Sequence, residues 1–162
     1  MYFKNIPLTF FTLDNGKSAQ LVTSIFYRAL IDDRVKSNFS LYDEYDVVDG
    51  ETPEIIADRF YNNSQLHWVI LMYNDIIDPR YDWVLSTNNL NLYCSSKYTN
   101  SQATHHYEDS QGNWVNSTHP GATPISNFMY EEKINESKRR IKILKAEYVD
   151  TIIREFANKF QS

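Results

Sequence analysis

Between Leu41 and Asp78 the apolar positions fall into three successive patterns. Tyr42, Tyr45, Val47 and Val48 are strand-forming residues that run into the turn dipeptide Asp49-Gly50, which predicts a short strand ending in a tight turn. Thr52-Pro53-Glu54 follows: a threonine that caps free amides, a proline suited to the first helical position, and a glutamate that complements the positive helix end. The helix predicted from there carries a compact stripe of Ile55, Ile56, Arg59 and Phe60 until Asn62-Asn63-Ser64 breaks it and caps a second helix. That second helix, Gln65 to Tyr73, places Leu66, Val69, Ile70 and Tyr73 at the i, i+3, i+4, i+7 spacing of one buried face. Trp68, Leu71 and Met72 make its other face apolar too, so it is expected to be covered on both sides. Asp78-Pro79 ends the unit, because the residue before a proline is pushed away from helical angles, and Tyr81, Trp83, Val84 and Leu85 form an aromatic-rich tail.

The flanks are less regular. In an N-terminal arm, residues 1–40, a short helix is expected over Gln20 to Asp32 from Leu21, Ile25, Tyr27, Ala29 and Leu30. Residues 41–85 form the strand-helix-helix core. Residues 86–130 turn polar and read as a loop-rich insertion, with a hairpin of His106-Tyr107-Glu108 and Asn113-Trp114-Val115 around Asp109 to Gly112. In residues 131–162, Glu131-Glu132-Lys133 reads as helix. Ile141 and Ile143 then alternate with Lys142, a strand pattern that also fits a continued helix. The strand is the reading adopted: Arg139 to Leu144 is expected to pair antiparallel with Tyr42 to Val48 and to close a sheet across the insertion. Val149, Ile152, Ile153, Phe156 and Phe160 predict a closing amphipathic helix. The core is assigned to Val47, Ile56, Phe60, Val69, Ile70, Ile141 and Ile143.

Composition narrows the function. The net charge of −5 argues against nucleic acid as the main partner, since phosphate contacts need clustered cations, and acidic residues flank the Lys138-Arg139-Arg140 cluster. The start lacks the pattern of an export signal and no stretch has the apolar length of a membrane span, so neither export nor a membrane is expected. A single cysteine, Cys94, fits folding in a reducing cytoplasm. Aromatic residues make up 15% of the chain, more than one small core holds, and contiguous apolar surface marks interaction sites. Trp68, Tyr73, Tyr81, Trp83 and Phe128 are the rings expected to face partners.

The order strand, Asp-Gly turn, helix, Asn-rich break, helix, carried by Tyr45-Asp46-Val47-Val48-Asp49-Gly50-Glu51-Thr52-Pro53-Glu54-Ile55-Ile56-Ala57, resembles the opening of a LysM module. The run through Phe60-Tyr61-Asn62-Asn63 and Leu66-His67-Trp68-Val69-Ile70-Leu71-Met72-Tyr73-Asn74-Asp75, then Asp78-Pro79 and Trp83, resembles the phage baseplate wedge protein family with a LysM-like fold. Asn135-Glu136-Ser137-Lys138-Arg139-Arg140-Ile141-Lys142-Ile143-Leu144, followed by Tyr148, resembles that family's C-terminal pattern. The resemblance implies an α+β fold with a LysM-like βααβ core, its second strand supplied after the insertion. It also implies a structural protein of a contractile tail, assembled in the host cytoplasm, that joins neighbouring wedges around the hub in a symmetric, six-fold ring of wedge and hub proteins.

Two other readings compete. LysM modules bind N-acetylglucosamine polymers, which makes a carbohydrate-binding module the first rival; an adaptor elsewhere in a phage-like tail is the second. No metal or cofactor is expected: Cys94, His105, His106 and His119 match no zinc spacing, and adjacent histidines on a strand point to opposite faces. No catalysis is expected either, because the Asp43-Glu44 and Glu131-Glu132 pairs are adjacent in sequence and diverge in space.

Overall fold

An α+β fold forms in the computed structural model, which describes residues 8–12, 18–23 and 30–159. In chain order the elements are β1 (Leu8–Thr12), β2 (Ala19–Thr23), α1 (Asp33–Lys36), β3 (Tyr42–Asp46), α2 (Pro53–Tyr61), a 3-10 turn (Ser64–Leu66), α3 (His67–Tyr73), α4 (Pro79–Asp82), α5 (Thr87–Lys97), β4 (Thr104–Glu108), β5 (Trp114–Val115), β6 (Thr123–Ser126), α6 (Asn127–Ser137), β7 (Arg140–Leu144) and α7 (Ala146–Lys159). They divide into two units, Met1–Tyr45 with Thr52–Ile77 and Lys142–Ser162, and Asp46–Glu51 with Asp78–Ile141.

In the first unit the local chemistry of α2 and α3 acts as the sequence predicts. Thr52 Oγ1 accepts from the Ile55 amide and Pro53 occupies the first turn of α2. Asn62 ends the helix in the left-handed conformation, φ 52°, which asparagine tolerates better than most residues. Asn63 then caps the 3-10 turn through the Gln65 amide. Helix α3 buries Trp68, Val69, Ile70, Met72 and Tyr73, so it is covered nearly all round. Its main cluster adds Ile31, Leu144, Val149 and Phe156, the last two from the apolar stripe of α7. Phe160, predicted to extend that stripe, lies outside the described residues.

Strands β3 and β7 form a two-stranded sheet. Lys145 N donates to Leu41 O at one end and Val47 N to Arg139 O at the other, which makes the pair antiparallel and excludes a continued helix over Arg139 to Leu144. Asn74 finishes the edge of β7 with its side chain. Its Nδ2 donates to Lys142 O at 2.7 Å and its Oδ1 accepts from Lys142 N at 2.8 Å, replacing a neighbouring strand for one residue.

Three expectations are corrected. Gln20 to Thr23 belongs to β2, paired with β1 in the register Phe10↔Leu21 and Phe11↔Gln20, where helix was expected; of the remainder, 24–29 lies outside the described residues and Leu30 to Asp32 is irregular. Weak helical periodicity loses here to cross-strand pairing of β-forming residues.

The polar stretch from residue 86 contains an eleven-residue helix, α5, started by Ser86 Oγ on the Asn89 amide and holding only Leu90 and Cys94 inside. A two-residue stripe is too narrow to read from periodicity.

Phe60, expected in the core, is 37% exposed and meets Tyr45 edge-on at 5.3 Å. Its position at the C-terminal end of α2 leaves one side of the ring in solvent. Phe60→Ala is therefore expected to cost about 1–2 kcal/mol, against about 3–5 for a fully buried phenylalanine. Urea unfolding of the variant reads the difference, and a loss in the upper range would return Phe60 to the core.

In the second unit, Gly50 takes φ +81° at the predicted Asp-Gly turn, a conformation that a side chain would strain. Asp49 Oδ1 accepts from Thr87 N, and Glu51 O accepts from Trp83 Nε1 at 2.9 Å. The hairpin around Asp109 to Gly112 forms, with Tyr107 opposite Val115 and Glu108 opposite Trp114, and β6 joins the other side of β4 in the order β5-β4-β6.

Candidate protein interface

The five rings expected to face partners separate by burial. Tyr73 is 1% exposed and donates from its hydroxyl to Val35 O, Trp68 packs on Phe156 with ring centres 5.0 Å apart, and Trp83 is buried with its indole N–H on Glu51 O. These three are internal to the chain, which corrects their assignment as partner-facing: Trp68 and Tyr73 belong to the hydrophobic cluster around α3, and Trp83 is buried with its indole N–H satisfied. Phe128 is half-buried at the start of α6. Tyr81 stands 69% exposed on α4. Of the residues assigned to the core, Val47, Ile56, Val69, Ile70, Ile141 and Ile143 are buried.

Tyr81 lines a groove of about 330 Å³ in the second unit, with Leu85, Leu90, Tyr93 and Ile134 as its apolar wall. Arg80, Lys97 and Lys138 bring three cations to it and Glu131 one carboxylate. Asp78 Oδ1 caps α4 on the Arg80 amide and, with Oδ2, holds the Arg80 guanidinium, which lies 5.8 Å from the Tyr81 ring centre. Lys138 Nζ donates to Tyr81 O and so fixes the backbone beneath the exposed ring.

Helix α6 turns two polar residues inward, and they organise the floor of the groove. Asn135 donates to Leu85 O at 2.9 Å and accepts from Leu85 N at 2.7 Å. Glu131 accepts from Lys97 Nζ at 2.7 Å and from Tyr98 Oη at 2.6 Å. Burial pushes the Glu131 carboxyl up, but these two donors outweigh it and hold the group below its ordinary value; the same hydrogen bond raises Lys97. Groups this firmly ionised and paired build a rigid surface and make poor proton carriers.

The histidines differ from expectation. A bulge between Thr104 and His106 makes His105 the extra residue of β4, so the two adjacent rings meet instead of diverging, with Nδ1 atoms 2.9 Å apart. His106 Nε2 contacts Glu108, whose carboxyl is held low by Lys133 first and His106 second. A carboxylate only accepts, so His106 Nε2 carries a proton, and in the neutral ring Nδ1 accepts from His105. His105 stacks on Tyr130 and His106 on Trp114, each with centres 4.0 Å apart. The ring nitrogens that face each other are committed to the sheet. Among the described residues no group of three or more His, Cys, Asp or Glu side chains is placed to hold a metal, and no helix is long and apolar enough to cross a membrane.

A surface feature missed in the sequence is the pair of strands β1 and β2. Leu8, Phe10, Phe11 and Leu21 are all more than half exposed. The signal for its strands is two uncharged runs of strand-forming residues, Leu8–Thr12 and Ala19–Thr23.

Apolar side chains on open surface suit contact with other proteins, and similarity to known proteins agrees. Residues 10–118, more than half of the chain, match the model of the family described as base plate wedge protein 53. Over 75 residues the chain is 36% identical to the baseplate wedge protein gp53 of Enterobacteria phage T4, a match that covers 46% of this chain and 35% of that relative. The chain thus aligns with about a third of the relative's length. It belongs to the base plate wedge protein 53 family.

Proposed function

We propose that the chain is a non-catalytic structural component of a contractile phage tail baseplate that joins neighbouring wedges around the hub in a symmetric, six-fold ring. The observation that carries this reading is the Tyr81 groove of the second unit, where exposed rings stand over a floor of buried, hydrogen-bonded Glu131 and Asn135. A rigid scaffold that presents exposed aromatics lowers the ordering cost of association, and such rings tend to dominate interface energies. The succession β3, α2, α3 with β7 returning beside β3 supports a LysM-like reading of this region.

The test is reconstitution of the ring from purified wedge proteins with wild-type chain or with Tyr81→Ala and Tyr93→Ala combined. Tyr81 is 69% and Tyr93 37% exposed, so the variant should keep its circular dichroism and lose no more than about 1–2 kcal/mol of stability, which leaves it folded. Each lost anchor should cost about 2 kcal/mol of association, roughly thirtyfold in affinity, repeated at every symmetric contact. Electron microscopy should then show separate wedges in place of closed rings. Rings that close without the chain, or equally well with the variant, refute the reading.

A further inference from the structure

We propose that the β1–β2 hairpin is completed in the assembled wedge by a third strand from a neighbouring wedge protein, an uncharged segment of alternating apolar residues paired along an open edge. The inference rests on the reading of the chain as a wedge component. Cross-strand partners share a face, so Phe10 and Leu21, with Leu8, form one apolar side, 56–75% exposed. Every described residue of β1 is exposed, and among the described residues neither strand has a second neighbour. An isolated two-stranded hairpin is marginal in water and gains stability from a third strand or a packed face.

The edges also lack the usual protection. Natural edge strands carry charge, proline or a bulge that discourages pairing. None of the ten residues in Leu8–Thr12 and Ala19–Thr23 is charged, Pro or Gly, and the register runs without a shift, although 23% of the chain is charged. By contrast, the edge of β7 is closed at Lys142 by the Asn74 side chain. Charge matching selects the occupant: an uncharged strand exchanges its backbone hydration for ladder hydrogen bonds without burying an ion, whereas a charged one would bury an unpaired ion against Phe10 and Leu21. A second copy of the chain is the weaker candidate. Its five-residue edge, about 17 Å long, falls short of the roughly 1,000 Å² that a stable dimer requires. A wedge partner already held by other contacts does not depend on that area alone.

Hydrogen exchange of the full chain, alone and in a wedge reconstituted from purified wedge proteins of the same baseplate, tests this. Amides of Leu8–Thr12 and Ala19–Thr23 should exchange fast in the free chain and at least about tenfold slower in the wedge. Phe10→Lys with Leu21→Lys should abolish that protection, while Gln20→Thr on the opposite face should behave as wild type. If the wild-type chain enters the wedge with both strands unprotected, or the double-lysine variant is protected like wild type, strand addition is overturned and the wedge reading stands. A free homodimer that protects the same amides overturns the choice of occupant. A wild-type chain that never enters the wedge overturns both.

Discussion

Tyr73→Ala is expected to destabilise the first unit by about 3–5 kcal/mol, the largest single-residue loss in the protein. The side chain is 1% exposed and packs within the cluster of Ile31, Val69, Leu144, Val149 and Phe156. It tilts against Tyr42 at 6.1 Å and donates to Val35 O at 3.2 Å. Burial raises the phenol, which keeps it protonated and donating. Truncation therefore removes a ring, opens a cavity and takes away one of the donors to the Val35 carbonyl, which keeps the Asn38 amide. In a chain of this length the loss corresponds to a fall in Tm on the order of 10 °C. Tyr73→Phe keeps the ring and loses only the hydrogen bond, so about 1 kcal/mol is expected. Urea unfolding of both variants separates packing from hydrogen bonding; equal effects would mean that the cavity term is negligible here.

Asn135→Leu should cost the second unit about 2–4 kcal/mol although it nearly conserves volume. Asn135 is 4% exposed, and its amide satisfies both the N–H and the C=O of Leu85, fifty residues away. Leucine fills the space and satisfies neither group, and a buried backbone donor or acceptor without a partner carries its full desolvation penalty. Amide exchange at Leu85 should rise with the loss of stability. A variant as stable as wild type, with Leu85 still protected, would show that another group takes over the pairing. Under the proposed function the same substitution should also weaken ring closure, because Leu85 lines the Tyr81 groove.

The family match and the core of the first unit cover different parts of the chain. The match ends at residue 118, before β6, whereas that core draws Leu144 from β7 and Val149 and Phe156 from α7. Truncation at the end of the matched region would therefore strip α3 of much of its cover. The C-terminal strand and helix are part of the fold of the first unit.

Local signals in the sequence were sufficient wherever a few adjacent residues act on their own backbone. Thr52-Pro53-Glu54 starts α2, Asn62-Asn63 ends it and caps the next turn, Asp49-Gly50 makes the turn, and the Val149–Phe156 spacing makes α7 amphipathic. The alternation of Ile141 and Ile143 offered β7 as a strand, while its return beside β3 followed from the resemblance to a LysM-like fold.

What only the tertiary structure decided is which side of an apolar or polar residue meets solvent. Trp68, Tyr73 and Trp83 are inside and Phe60 is partly out, because burial depends on elements far away in sequence. Polar residues were harder still. Asn74, Glu131 and Asn135 look like surface positions in the sequence, yet each is held by partners 33 to 68 residues away that satisfy its hydrogen bonds. Hydrophobic periodicity records which residues avoid water; it carries no record of a polar group whose water has been replaced by a distant backbone.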